Sequence, residues 1–359
     1  MEVLVSMPLP EVLPLHFGNK PYFSFKQFLS QRFDFPVHKL CVDAGFTCPN
    51  RDGRVGYGGC TYCYNPGFSQ AACDNHAPVI GQLPVAVAGF SLRKITQAKA
   101  CDCQFPLIIE KLPPVSIQEQ IQRLKLKSKR KGRFLIYFQP YTNTYKSPEK
   151  LKLLYDDALS DSDVVGLCIG TRPDCVDNET LSLIEGYAKN HHVWIEYGLQ
   201  SIHDHTLKAI NRGHTFAQSE DAINRTRGRG IFICVHIILG LPGETRDEMI
   251  ETIKTLSGMG IHGIKIHHLH VMKNTPLAEE FYQRRVKVFT IEEYIPLVCD
   301  VLEYLSPSVT VQRLFGEVTG DDLLIAPRWE KPKNAMLAAI EAEFLRRGSF
   351  QGCRYTAAY

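Results

Sequence analysis

Short runs dominated by β-branched and aromatic residues alternate along the chain with longer stretches whose apolar positions recur three and four apart. The runs occupy 39–44, 133–139, 164–170, 193–199, 231–239 and 263–271. Such alternation is the grammar of α/β proteins, and the runs predict six parallel strands. Amphipathic stretches at 116–129, 147–159, 178–189, 203–211, 216–229 and 245–259 predict the intervening helices. Several open on Ser, Thr or Asn followed by acidic or amide residues, as in Ser147-Pro148-Glu149 and Thr245-Arg246-Asp247-Glu248. A βα succession of this kind winds into a barrel or an open sheet. Six units make an incomplete barrel, with chemistry expected at the carboxyl ends of the strands.

The pattern divides the chain into an amino-terminal lead-in (1–35), the partial barrel (36–275) and a mainly helical carboxy-terminal extension (276–359) packed on it. The extension carries a strand candidate at 309–314 and a final helix near 334–347. Residues 77–114 are Pro-interrupted and partly apolar, and read as an insertion or lid. At 359 residues, 44% hydrophobic and 22% charged, the composition is globular and excludes a disordered tail or a disulfide-stapled miniprotein. With 41 Lys and Arg against 38 Asp and Glu, bulk charge makes no case for nucleic acid or membrane. Glu2 replaces a basic n-region and Pro8, Pro10 and Pro14 interrupt the apolar start, so no secretion signal is expected. The longest apolar run, 231–242, has 12 residues and contains His236, well short of the roughly 20 that span a bilayer. The expectation is a soluble, cytoplasmic protein with no membrane partner.

Twelve cysteines in such a chain point to metal or redox chemistry rather than to disulfides. Cys41, Cys48, Cys60, Cys63 and Cys73 are crowded together, Cys101 and Cys103 follow, and the others read as small buried hydrophobes. Cys48, Cys60 and Cys63 form a C-x11-C-x2-C arrangement directly after the first predicted strand. Gly53, Gly56, Gly58 and Gly59 let that loop curl tightly. Two close thiolates plus a distant one suit either zinc or an iron-sulfur cluster. Zinc wants a fourth ligand, for which Cys41, Cys73 and His76 are within reach in sequence. A [4Fe-4S] cluster on three cysteines instead leaves one iron open. The triad alone leaves both readings standing.

The remaining blocks discriminate between them. DAGFTCPNRDG, GGCTYC, YFQPYTNTY, IGTRPDCV, EYGLQSIHDHTLKAINRGHT, ILGLPGET and KIHHLH follow in order, each at a predicted strand end. Through them the chain resembles the radical S-adenosylmethionine (SAM) superfamily and, within it, the YhcC-like proteins. These are related to the radical domains of the tRNA-modifying elongator catalytic subunit and of oxygen-independent coproporphyrinogen oxidase. Two features depart from the family pattern: the cysteine spacing is not the commonest C-x3-C-x2-C, and 77–114 is longer than the usual connection.

The resemblance implies an incomplete (β/α)6 barrel in which Cys48, Cys60 and Cys63 hold a [4Fe-4S] cluster whose open iron is chelated by SAM. An electron donor such as flavodoxin or ferredoxin would reduce the cluster. Cleavage of SAM would then give a 5′-deoxyadenosyl radical that abstracts hydrogen from an unidentified substrate. The alternatives are a noncatalytic zinc- or nucleic-acid-binding module built on the same cysteines or, within the enzyme reading, a tRNA-modifying enzyme.

Tyr62 matches the aromatic position that in the superfamily lies against the adenine of SAM, a filler of the core being the plainer reading. Gln139, Tyr141 and Asn143 end the second strand, where many relatives carry a Gly-Gly-Glu segment absent here. Glu196, Gln200 and Ser201 end the fourth strand and, with Arg212, resemble positions contacting ribose, carboxylate or neighbouring groups. Ser201 as a helix cap and Arg212 as a surface cation are the alternatives. In ILGLPGE, Gly240 would admit adenine to the backbone and Glu244 would open the next helix, where an acid also suits the dipole. Strand alternation places His267 on one face and His268 and His270 on the other, so the three are not expected to converge. Cys73, Cys101 and Cys103 are candidates for a second metal centre, ranked behind the plain reading because they lack a C-x2-C pair. The basic run 123–133 reads as a solvated helix end, with tRNA phosphates ranked behind solvent as its partner.

Overall fold

The computed structural model describes residues 17–64, 115–318 and 322–357. The expectations for 77–114, and for Cys73, His76, Cys101 and Cys103, lie outside them. Strands β1 (Val37–Val42), β2 (Arg133–Phe138), β3 (Val164–Thr171), β4 (His192–Gln200), β5 (Phe232–Leu239) and β6 (Gly263–His268) pair in parallel, each with the next. They form the expected six-stranded partial barrel. Helices α1 (Phe25–Arg32), α2 (Ile117–Ser128), α3 (Pro148–Leu159), α4 (Asn178–Ala188), α5 (Asp204–Ala209), α6 (Phe216–Thr226) and α7 (Arg246–Gly258) precede or connect them. Local capping sets several helix starts. Ser116 accepts from the Glu119 amide at α2, and Thr215 with Gln218 and Thr245 with Glu248 close capping boxes at α6 and α7. Ser147 occupies the N-cap of α3 but makes no side-chain cap; there Pro148 at the first turn sets the entry.

The carboxy-terminal part adds β7 (Val271–Met272), α8 (Pro276–Tyr282), α9 (Ile291–Tyr304), β8 (Thr310–Arg313), β9 (Leu324–Ala326) and α10 (Lys333–Arg347). β8 was expected at this position as part of an extension packed on the barrel. It instead continues the sheet, pairing in parallel with β6 to give the order β1-β2-β3-β4-β5-β6-β8. The free edge of β6 offers a row of unpaired backbone groups, which a strand satisfies better than a helix does. β7 and β9 form a separate antiparallel pair. The lead-in covers the outer edge of β8, where the Val311 amide donates to Phe23 O at 2.7 Å.

Side-chain parity then separates the two faces of the sheet. Val193, Ile195, Tyr197 and Leu199 of β4 and Ile233, Val235, Ile237 and Leu239 of β5 point outward into the main core beneath the helices. Inward, Trp194 and Phe232 pack with Phe28 and Leu29 of α1, so this helix plugs the amino-terminal end of the barrel with apolar side chains. The Phe28 ring lies edge-on to Trp194 and to Phe232, with centroids 5.4 and 5.5 Å apart. Burying a ring of this size contributes about 1.5–3 kcal/mol. Inward positions nearer the carboxyl ends are polar, and they build the site. Among the described residues no helix is long and apolar enough to cross a membrane.

Candidate functional site

The loop after β1 carries the three cysteines. It is drawn inward by Cys48 O, which accepts from the Arg51 amide at 2.9 Å, and by the Gly59 amide, which donates to Asn50 O at 2.8 Å. Gly59 has φ +82, and a Cβ there would meet the Arg51 side chain at 3.0 Å, so both backbone and space call for glycine. The loop is clamped to the segment after α5. Asn50 Nδ2 donates to Asn211 O at 2.5 Å and Asn211 Nδ2 donates to Gly59 O at 2.8 Å.

Cys48, Cys60 and Cys63 thereby line one end of a cavity that opens at the carboxyl ends of the strands, and no other cysteine of the described residues lines it. Two arginines flank the thiols. Arg212 Nη1 lies 3.5 Å from Cys60 Sγ while its Nη2 donates to Gly198 O at 2.6 Å, and Arg51 Nη2 donates to Cys63 O at 2.8 Å. Burial, with Cys60 alongside, pushes the Cys63 thiol up to about 11. Ligation to a metal would offset that cost by stabilising the thiolate.

Among the described residues the three thiols are spread more widely than a lone tetrahedral ion requires. A tetrahedral zinc with Zn–S near 2.3 Å brings its sulfurs to about 3.8 Å from one another. The described groups of three His, Cys, Asp or Glu ligand atoms within 4.8 Å of one another are Glu196–Cys234–His236 and His203–His205–Glu248. The three cysteines are not so gathered. In the first of those groups Glu196 is already held by ammonium groups, which a cation would have to displace.

Tyr62, Gln139, Glu196, Gln200 and Arg212 all line the cavity. Gln200 and Tyr141, both on its wall, hold φ of +77 and +64. Non-glycine residues pay about 1–3 kcal/mol for this conformation, and such strain clusters at binding sites. Asn143 is fully buried and ties strands together, its Nδ2 donating to Phe138 O at 3.0 Å and Gly170 O at 2.7 Å. Gly240 is covered by Phe289, whose ring would stand 2.7 Å from an added Cβ. Glu244 precedes the N-cap Thr245 rather than opening the helix; it accepts from Ser201 Oγ, and burial lifts its carboxyl to about 7. Ser201 shapes the turn before α5 by accepting from the His203 amide at 3.0 Å.

Deeper in the barrel Glu196 has no exposed surface and gathers three partners. Lys39 Nζ lies 2.8 Å from Oε1, His236 Nε2 lies 2.9 Å from Oε2, and Lys265 also donates to Oε2. Lys265 reaches Tyr137 OH at 3.0 Å as well. Two ammonium groups share one carboxylate. The flanking cations hold Glu196 well below the ordinary carboxylate range despite its burial. Burial pushes Lys265 down to about 8, with Lys39 adding to the fall against the pull of Glu196. Lys39 and Lys265 were missed in sequence, although each is a lone lysine at an inward position of an otherwise apolar strand. Arg172 was missed too: it is buried in the cavity wall, bidentate to Asp174 and donating to Arg212 O at 2.8 Å.

The histidines correct the alternation argument. β6 ends at His268, so strand parity lapses beyond it, and His267, His268 and His270 all line this cavity. The rings of His268 and His270 are 4.2 Å apart, and a Cβ on Gly316 would meet His270 Cε1 at 2.5 Å and His267 Nδ1 at 3.3 Å.

The basic run is a solvated helix end, as expected. Arg123 pairs with Glu119, Lys125 bridges Asp161 at 2.6 Å and Asp163 at 2.8 Å, and Lys127, Lys129, Arg130 and Lys131 are exposed.

Residues 48–256 match the model of the radical SAM superfamily, and 261–346 match that of the radical SAM C-terminal domain. YtqA of Bacillus subtilis is 33% identical over 94% of this chain and 95% of its own. YhcC of Escherichia coli is 34% identical over 84% of this chain and 85% of its own. Among solved structures, Elp3 of Methanocaldococcus infernus with an amino-terminal deletion superposes with a TM-score of 0.57 at 17% identity. That likeness, covering 66% of this chain and 59% of that one, is one of fold. With the cysteine loop at the strand ends, these matches show that the chain belongs to the radical SAM superfamily of enzymes, in the family of YtqA and YhcC.

Proposed function

We propose that Cys48, Cys60 and Cys63 hold a [4Fe-4S] cluster and that the enzyme cleaves SAM reductively to act on a substrate seated in the same cavity. The observation that carries this reading is the placement of three thiols from one loop at one end of a cavity walled by strand ends. When bound, the cluster and SAM together supply a 5′-deoxyadenosyl radical for hydrogen abstraction. The protein's own residues bind, orient and shield. Arg212 and Arg51 offset the negative charge of thiolate ligands. Tyr62, Gln139 and Gln200 are the wall residues that contact SAM, and the apolar plug around Phe28 closes the barrel to water from below. We read 36–275 as the catalytic unit, with 1–35 supplying the plug and 276–359 the seventh strand. A cytoplasmic flavodoxin or ferredoxin serves as the reductant.

Anaerobic reconstitution followed by SAM and dithionite tests this. Brown protein with a full iron and sulfide complement and slow 5′-deoxyadenosine formation is expected. Cys48→Ala, Cys60→Ala and Cys63→Ala should each lose the cluster and Cys41→Ala should keep it. Stoichiometric zinc with no cluster, or S-adenosylhomocysteine as the sole nucleoside product, would sink the proposal.

A further inference from the structure

Four arginines line the cavity, and three of them are engaged: Arg51 with Cys63 O, Arg172 with Asp174, and Arg212 with Gly198 O and Cys60 Sγ. Arg313 differs. It is half-buried at the end of β8, and its side chain makes no hydrogen bond or ion pair among the described residues. Its neighbour in the sheet is Lys265, directly across the β6–β8 register, whose ammonium stands just beneath the wall against Tyr137 OH and Glu196. His236, His267 and His270 face the same space.

The charge count at this end is uneven. Among the described residues Lys39, Lys265 and Arg313 bring three positive charges, and Glu196 supplies one negative charge within the barrel. Glu317 also lines the cavity, but its side chain is 47% exposed and is paired with Lys333 at 2.5 Å. The histidines add no balancing charge, because burial pushes His236 and His270 each down to about 4 and leaves them neutral. The one N–H of neutral His236 is directed at Glu196, 2.9 Å away, which leaves the neutral rings of His267 and His270 as the polar wall beside Arg313. A guanidinium with no partner among the described residues, backed by a surplus ammonium and rimmed by neutral imidazoles, is chemistry complementary to an anion.

We propose that the substrate carries a carboxylate or phosphate that docks on Arg313, with His267 and His270 beside it, on the β6–β8 wall of the cavity that the cysteine loop also lines. This rests on the reading of the cavity as the active site and assigns its substrate class. The anion anchors the substrate within the cavity that the cysteines line, where the group that loses hydrogen is held.

The test titrates acetate and inorganic phosphate separately into the full-length protein, before and after cluster reconstitution, following binding by saturation-transfer and phosphorus-31 NMR. One probe should bind in both forms and identify the headgroup. Arg313→Gln should weaken it about tenfold or more, the loss expected for a charge-assisted hydrogen bond. Arg313→Lys should retain most of it, and Lys127→Gln on the surface should leave it unchanged. Equal binding by Arg313→Gln, no binding of either probe, or displacement of the probe by SAM would each overturn the proposal. The last result would give Arg313 to the cofactor. Uncoupled 5′-deoxyadenosine formation is measured in parallel. Its absence in the wild type counts against the radical reading, while anion binding is judged by the NMR alone.

Discussion

Lys39 Nζ of β1 lies 2.7 Å from Gln312 Oε1 of β8, joining the two edge strands of an open sheet through side chains 273 positions apart. The same ammonium holds Glu196, so the seam and the buried carboxylate share one cation. Lys39→Met should cost about 1–3 kcal/mol, since Glu196 keeps Lys265 and His236 while Gln312 loses its charged partner. Glu196→Gln should cost more, about 3–5 kcal/mol, because it strands two ammonium groups in the interior. Urea denaturation of the full-length variants ranks them. The reverse order would mean that the carboxylate does not organise the barrel floor.

The surplus charge gives Lys265 a pH signature. Its folded pKa, about 8, lies below its ordinary value of 10.5. Between these two values the unfolded chain binds more protons than the native one, so this group adds stability as pH rises from about 8 to 10. Below pH 8 both states carry the proton and the gain is absent. The stability of Lys265→Met relative to the wild type should therefore stay level below pH 8 and fall progressively as pH rises toward 10. Parallel stability curves for the two proteins across that window would show that Lys265 is not depressed.

Arg212 is placed to act, through Cys60, on the cluster proposed above. Its Nη1 is 3.5 Å from the Cys60 sulfur, and Arg172 supports it by donating to its carbonyl. A donor and positive charge beside a ligating sulfur favour the reduced, more negative cluster. Arg212→Gln should shift the reduction potential of the reconstituted protein negatively, and Arg212→Lys should restore part of the shift. Redox titration followed by electron paramagnetic resonance reads this directly. An unchanged potential would reduce Arg212 to a structural tie between Gly198 and the cysteine loop.

These residues differ in how visible they were in the sequence. The strands of the barrel were legible because each is a compact apolar run, and their observed bounds fall within a few residues of the expected ones. The gathering of Cys48, Cys60 and Cys63 at one cavity was legible because the three thiols come from one segment. Tyr62 and Gln139 were flagged through family resemblance, and only the curl of the sheet brings them to one wall. Lys39 and Lys265 went unread because an apolar run was taken as uniform, whereas period-two parity within VHKLCV and GIKIHH puts each lysine on the inner face. For His270 the opposite error held, since parity was extended past the point where β6 stops. The residues of β8, TVQR, announce a strand but carry nothing to say which sheet receives it.

The basic run separates structural from solvent-facing cations, and this shapes the test of tRNA as a partner. Lys125 is tied to Asp161, a carboxylate with only 5% of its side chain exposed and held below its usual range by Lys125 despite some burial. Lys125→Gln should cost about 1–3 kcal/mol of stability, so a variant containing it would confuse binding with folding. Lys127, Lys129 and Lys131 are free to be changed to Gln together without touching that tie. With Lys125 neutralised by its two aspartates and the remaining lysines spread around one helix end, few phosphates can be tracked at once. Wild-type affinity for tRNA should be weak, and its logarithm should fall with log salt at a slope of only about −1 to −3, near −0.9 for each phosphate neutralised. The triple variant should flatten that slope and leave 5′-deoxyadenosine formation unchanged. Tight, tRNA-selective binding at physiological salt that collapses in the triple variant would instead make this helix end a phosphate-tracking surface.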